Sequence, residues 1–199
     1  SLVGAEMCIR DSYDPTPREG HQERTQKFEK EFVKYACEQS LRRLGTDYID
    51  LYQAHNIKLA DLEKDELFET LEQLQFEGKI RYFGVAIGPD IGWQEEGEYS
   101  ITKRQIKSAQ IIYSLLEQDP AKRFIELANE HEVGLLSRVP HASNTLTGEF
   151  DRGLPTFDPD DHRAHRKNDW LVEAMRKVDR IRFLAQEESR SMAQAAIQF

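Results

Sequence analysis

A fourfold alternation of helical and strand patterns is the feature that most limits how this chain can fold. Apolar residues between positions 28 and 44 recur at the spacing of one helical face, and Gly45 follows where a left-handed residue commonly ends a helix. A β-prone run at 48–52 comes next, and Gln53, Ala54 and His55 leave it at its carboxyl end. The first unit is therefore predicted to be a helix followed by a strand.

The same order repeats along the chain. Further strands are predicted at 80–87, 109–116 and 133–139. A helical stripe that stops at Gly78 precedes the first of these strands, and a helix begun by Asp119 and Pro120 precedes the last. The stretch before the middle strand is predicted to be an exposed connection. Such alternation predicts a parallel sheet covered by helices.

The end of the chain predicts two more helices after a polar loop at 151–166. The first helix is expected to bury one side, formed by Leu171, Val172, Met175, Val178, Ile181 and Leu184. Ser191 is expected to cap the second, which begins at Met192 and reaches the last residue within about two turns. A four-stranded parallel sheet has two unpaired edges, so we expect an incomplete domain that tends to self-associate.

Composition narrows the class of protein. The 199 residues carry a net charge of -9 and 39% hydrophobic residues, which predicts a globular protein with neither nucleic acid nor an anionic membrane as a partner. The two cysteines, Cys8 and Cys37, follow no disulfide pattern, and the chain has no secretory or membrane-spanning run, so a cytoplasmic location is expected. Residues 1–12 match no later pattern and are predicted to be a non-native or disordered leader to a domain at 13–199.

Two architectures suit this order of elements. One is an open, doubly wound sheet, and the other is an arc of a closed eight-stranded barrel. No strand-to-helix turn carries the Gly-x-Gly-x-x-Gly pattern of a dinucleotide-binding open sheet, which favours the barrel.

Three segments, 40–55, 78–85 and 110–116, closely resemble the aldo-keto reductase family, and the resemblance extends from about Tyr13 to Phe199. It implies an α/β fold, a partial (β/α)8 TIM barrel with about strands 4 to 7 and their helices. It also implies that the complete protein uses NADPH to reduce a small aldehyde or ketone to an alcohol. The family's aspartate, tyrosine and lysine come from earlier strands, so we expect the isolated chain to be inactive.

The resemblance also assigns site residues. His55 matches the histidine that hydrogen-bonds the substrate carbonyl, and Gln110 matches a glutamine that holds the nicotinamide carboxamide. Ser137, Arg138 and Ser143 match the loop that follows the seventh strand and contacts NADP(H), with Arg138 replacing a tyrosine that stacks on the nicotinamide. Ala86 and Ile87 stand where the family commonly has Ser-Asn, so that pair of cofactor contacts is absent or supplied by backbone.

The sequence is also compatible with other functions. Without the flanking match, His55 is more often a structural histidine, and the whole domain could serve as a non-catalytic regulatory or interaction subunit that binds the nicotinamide cofactor weakly or not at all. The polar loop contains several potential metal ligands, namely Asp158, Asp160, Asp161, His162 and His165. Their spacing matches no compact metal site, and neighbouring arginines offset their charge, so no metal is expected.

Overall fold

The computed structural model describes residues 26–88, 93–119, 121–159, 161–166, 169–186 and 190–199. Helices lie at α1 (Lys30–Leu44), α2 (Leu59–Leu62), α3 (Asp65–Phe76), α4 (Gln94–Lys103), α5 (Ala121–His131), α6 (Trp170–Ile181), α7 (Phe183–Gln186) and α8 (Met192–Gln198). The strands are β1 (Ile49–His55), β2 (Ile80–Ala86), β3 (Ser108–Ile112) and β4 (Gly134–Arg138). A 3-10 turn spans His162–His165. Within the described part of the chain, no helix combines the length and apolar character needed to cross a membrane. The predicted leader lies outside these residues.

The four strands form one sheet in the order β1-β2-β3-β4. β1 pairs with β2, and β2 with β3, in parallel. At least one helix lies between each pair of successive strands along the chain. This arrangement confirms the predicted parallel sheet with helical connections, and it brings the carboxyl ends of β1, β2 and β3 to one edge.

The chain divides into two compact units, and the boundary between them falls within β3 and again within β4. The first comprises the described residues of Ser1–Ile111 and Pro120–Leu136, and the second comprises Ile112–Asp119 with those of Ser137–Phe199. The largest fully buried side chains of the first unit come from strands, helices and the loops between them; they include Tyr52, Phe124, Ile49, Leu71, Leu74 and Ile80. In the second unit, buried residues from the loop after β4, from α6 and from α8 cluster together, namely Ala142, Leu146, Val178 and Ala196.

Local sequence signals fix several helix ends as predicted. Gly45 has φ 64° and Gly78 has φ 75°, a left-handed backbone that glycine adopts without steric cost. The Ser191 hydroxyl accepts a hydrogen bond from the backbone N–H of Gln194, and the Gln194 side chain accepts one from the backbone N–H of Ser191. This reciprocal capping box confirms Ser191 as the start of α8.

Three sequence expectations about elements are wrong. The stretch before β3 holds helix α4, which buries only Gly97, Ser100 and Ile101 and so lacks a visible apolar stripe. β3 ends at Ile112 rather than at 116, because the chain turns back at 115–116, where Ser114 pairs with Glu117. Val172, expected on the buried side of α6, is 37% exposed.

Candidate functional site

A row of three residues crosses the sheet at the carboxyl ends of the first three strands. His55 pairs in register with Ala86, and Ala86 pairs with Gln110. Side chains at paired positions of parallel strands lie on the same face of the sheet. Since adjacent strands are about 4.8 Å apart, His55 and Gln110 lie on strands roughly 10 Å apart, with Ala86 at the paired position of the strand between them. The structure thus brings together the two residues that the sequence singled out in this unit.

Backbone hydrogen bonds hold this row in place. The N–H of Asn56 donates to the carbonyl of Ala86 at 2.8 Å, and the N–H of Ile87 donates to the carbonyl of Gln110 at 2.9 Å. Asn56 has φ 51°, a left-handed conformation that asparagine tolerates better than most residues, so the chain turns sharply as soon as His55 has been placed. The backbone of all three strands is therefore fixed at the point where the row lies.

The side chains of the row differ in what they can bind. Gln110 is 8% exposed and offers an amide that both donates and accepts, the complement of another primary carboxamide. His55 is partly buried and can donate a hydrogen bond to an oxygen. Ala86 is fully buried and has no polar side-chain atom, so its side chain offers no hydrogen bond to a ligand at this position. The donor set accordingly fits a carboxamide on the Gln110 side and a carbonyl oxygen on the His55 side.

A second, fully buried polar row lies two residues below the first. Gln53 of β1 pairs in register with Gly84 of β2, and Gly84 pairs with Ser108 of β3. The Nε2 of Gln53 donates to the hydroxyl of Ser108 at 2.9 Å and to the carbonyl of Val85 at 3.3 Å. Sequence reasoning missed this row; the available signal was a glutamine between the apolar residues Leu51 and Tyr52 on one side and Ala54 on the other.

In the second unit, Ser137 and Arg138 are tied to the segment that follows β3. The Ser137 hydroxyl donates to the carbonyl of Tyr113 at 2.7 Å, and the N–H of Tyr113 donates to the carbonyl of Arg138 at 3.4 Å. The Tyr113 ring stacks on Phe199 with centroids 4.9 Å apart. The hydroxyl proton of Ser137 is thereby engaged, so any ligand of Ser137 must donate to its oxygen. The assignment of Ser137 and Arg138 to the cofactor stays a prediction.

The loop after β4 carries an unusual backbone. Val139, Ala142, Ser143 and Asn144 all have positive φ, between 47° and 72°, although none is glycine. Such conformations cost on the order of 1 kcal/mol or more each and persist where surrounding contacts impose them. One such contact is the Thr145 hydroxyl, which donates to the carbonyl of Ala142 at 2.8 Å. Ser143, predicted to contact the cofactor, is therefore held on a constrained turn, and its role stays a prediction.

The acidic loop holds an ion pair. Asp161 forms hydrogen bonds with the Arg163 guanidinium, the shortest at 2.6 Å, and also accepts from the backbone N–H of Arg163. No group of three potential ligands that could hold a metal occurs in the part of the chain that the structure describes. Asp160 and the side chains of His162 and His165 lie outside that part.

Comparison with known proteins identifies the family. The model of the Aldo/keto reductase family matches residues 16–199. The chain belongs to the aldo-keto reductase family. An uncharacterized oxidoreductase of Bacillus subtilis (strain 168), YqkF, is 39% identical to this aldo-keto reductase chain over 119 residues, which cover 59% of the chain and 37% of that protein.

Solved aldo-keto reductase structures share the fold. The glycerol dehydrogenase AKR11B4 from Gluconobacter oxydans superposes with a TM-score of 0.74 at 23% identity, covering 92% of this chain and 55% of that one. The holo form of aldo-keto reductase AKR11C1 from Bacillus halodurans gives a TM-score of 0.59 at 31% identity, covering 85% and 52%. These likenesses confirm the α/β fold class and the partial (β/α)8 barrel. The chain spans between about a third and just over half of the length of these relatives.

Proposed function

We propose that the protein to which this aldo-keto reductase chain belongs is an oxidoreductase that transfers a hydride from NADPH to a small aldehyde or ketone. The observation that carries the proposal is the shared row of His55 and Gln110 at the carboxyl ends of β1 and β3. Active sites of (β/α)8 barrels lie at that end of the strands. Family membership and the oxidoreductase among the relatives support the same reaction class.

The two polar residues of the row would have different roles in binding. Gln110 would pair with the nicotinamide carboxamide through its amide and so fix which face of the ring meets the substrate. His55 would donate a hydrogen bond to the substrate oxygen and so hold the carbonyl group beside the strand ends. The same hydrogen bond would polarise the C=O bond, which favours attack of the hydride on the carbonyl carbon. The cofactor, when bound, supplies the hydride.

The preference for NADPH over NADH comes from the family resemblance. Ser137, Arg138 and Ser143 belong to the second unit, and the resemblance assigns them to the cofactor independently of the row. Substitution of Arg138 and of Gln110 should therefore be tested separately, each against both reduced cofactors.

Cofactor titration of the 199-residue chain tests the proposal directly. NADPH fluorescence should report binding, and Gln110→Leu should weaken it by about tenfold, the value of a lost hydrogen bond together with the partner left unsatisfied. Gln73→Leu is the matched control, because that glutamine lies on the exposed face of α3 and its amide donates a hydrogen bond to Glu77. Equal affinities of the Gln110 variant and the control would contradict the proposed role.

Carbonyl reduction supplies the second readout. In any protein containing this chain that reduces aldehydes with NADPH, His55→Ala should lower kcat by about a hundredfold or more while the fold is retained, because removing one positioned hydrogen-bond donor to the reacting oxygen costs about that much. An unchanged kcat would remove His55 from the reaction.

A further inference from the structure

The buried row below the site links two strands without involving a side chain of the strand between them. Gln53 is fully buried, and its Nε2 crosses β2 to reach the hydroxyl of Ser108 on β3. A Cβ atom on Gly84 would lie 2.2 Å from that hydroxyl oxygen and 2.3 Å from the Ser108 carbonyl oxygen. The absence of a side chain at Gly84 is therefore what lets Gln53 reach Ser108.

This link lies directly beneath the candidate site. His55 follows Gln53 by two residues on β1, and Gln110 follows Ser108 by two residues on β3, so both pairs share a face of the sheet. Two residues of strand span roughly 6.6 Å. A displacement of β1 relative to β3 at the lower row therefore changes the separation of His55 and Gln110 in the upper row.

The side-chain amide of Gln53 can place its NH2 group against two hydrogen-bond acceptors in only one of its two flip orientations. Its hydrogen bonds to Ser108 and to the carbonyl of Val85 both use Nε2. Its Oε1 is buried and has no hydrogen-bond partner among the described residues. Rotating the amide by half a turn would bring Oε1 against the Val85 carbonyl, another acceptor. Burying an amide with an unsatisfied acceptor is unfavourable compared with a leucine of similar size, so stability alone does not explain a glutamine here.

We propose that Gln53 is a positioning residue that sets the spacing between His55 and Gln110 by bonding Ser108 across Gly84. The inference builds on the proposed function, because the spacing matters when a carbonyl and a carboxamide must be held side by side. Gln53 does not touch either ligand in this arrangement. It acts through the strands that carry the two ligand-binding side chains.

Nuclear magnetic resonance tests the spacing without cofactor. Gln53→Leu and Ser108→Ala should each shift the side-chain resonances of His55 and Gln110, and the double variant should shift them no further than Gln53→Leu alone. Thr70→Val is the matched control, because this buried hydroxyl on α3 donates a hydrogen bond to the carbonyl of Glu66 in its own helix and lies off the sheet. Should Gln53→Leu fail to fold, Ser108→Ala removes the same bond with the loss of one oxygen atom and decides the question.

Cofactor affinity then connects the spacing to the function. Loss of one hydrogen bond corresponds to roughly a fivefold change, so Gln53→Leu and Ser108→Ala should each raise the dissociation constant for NADPH about fivefold, and the control should leave it unchanged. Unmoved His55 and Gln110 resonances in both variants would overturn the positioning role, even if NADPH binds. Shifted resonances in a chain that binds no NADPH would uphold the positioning role and refute the proposed function.

Discussion

Replacing Gly84 by alanine should destabilise the sheet far more than a single methyl group usually does. The added Cβ would overlap both the side chain and the backbone carbonyl of Ser108, at 2.2 and 2.3 Å. A hydroxyl can rotate away, but the backbone oxygen can move only if β3 separates from β2. Overpacking of a closed core typically costs about 1–3 kcal/mol, and loss of the Gln53 bond to Ser108 adds about 1 kcal/mol.

An opposing term reduces this cost only slightly. Alanine lowers the conformational entropy of the unfolded chain relative to glycine, which stabilises a protein by about 0.4–1 kcal/mol where the backbone accepts it. We therefore expect Gly84→Ala to lower the free energy of unfolding by roughly 2–3 kcal/mol, a large part of the 5–15 kcal/mol typical of a domain. Gly134→Ala is the matched control, since a Cβ at that strand position meets its nearest atom, the carbonyl of Lys107, at 3.4 Å.

Urea unfolding followed by circular dichroism measures the total effect, and amide exchange locates it. The amides of Lys107 and Ile87 donate across the β2–β3 pair, to Phe83 and Gln110, on either side of Gly84. Both should lose protection in Gly84→Ala and keep it in Gly134→Ala. A free energy of unfolding for Gly84→Ala within about 0.5 kcal/mol of the control would refute the steric argument.

Two further predictions concern Cys37 and Ser191. Burial raises the pKa of the Cys37 thiol from 9.0 to about 11, so the folded chain keeps a proton there that the unfolded chain loses above pH 9. Stability should consequently fall between pH 9 and 10.5, by at most about 1.4 kcal/mol per pH unit, and urea titrations of Cys37→Ala should lack this slope; an identical slope would exclude the thiol as its source. Ser191→Ala removes the hydroxyl that accepts a hydrogen bond from the backbone N–H of Gln194, which should destabilise α8 by about 1 kcal/mol and speed its amide exchange. Ser191→Asp keeps an acceptor at the cap and should retain protection. Equal exchange in the two variants would show that the cap contributes nothing.

The sequence was sufficient wherever a local signal decides local structure. Gly45 and Gly78 ended helices at the predicted places because a left-handed residue favours glycine whatever surrounds it. Apolar runs located the four strands approximately, and β1, β2 and β3 each bury several side chains within a few consecutive residues. Helix α4 was missed because one of its buried positions is a glycine. Gly97 lies so close to the Phe124 ring that no side chain fits between them, so this contact leaves no apolar residue in the sequence to reveal the helix.

Part of the site was within reach of the sequence as well. His55 and Gln110 were identified from their flanking residues, and their placement at strand ends follows from the alternation of helices and strands. Which two side chains would share a row depends on the register between strands, and register is set by packing between segments far apart in the chain.

The link from Gln53 to Ser108 illustrates that division. The two residues are 55 positions apart in the sequence. No local pattern around either residue indicates that the other will be its hydrogen-bond partner. The sequence by itself determined the order of helices and strands along the chain and the approximate position of each strand, and its resemblance to a family favoured the barrel over the open sheet. Only the tertiary structure decided that a glycine on the middle strand lets an amide on one side reach a hydroxyl on the other, because that contact exists only when three strands align in one register.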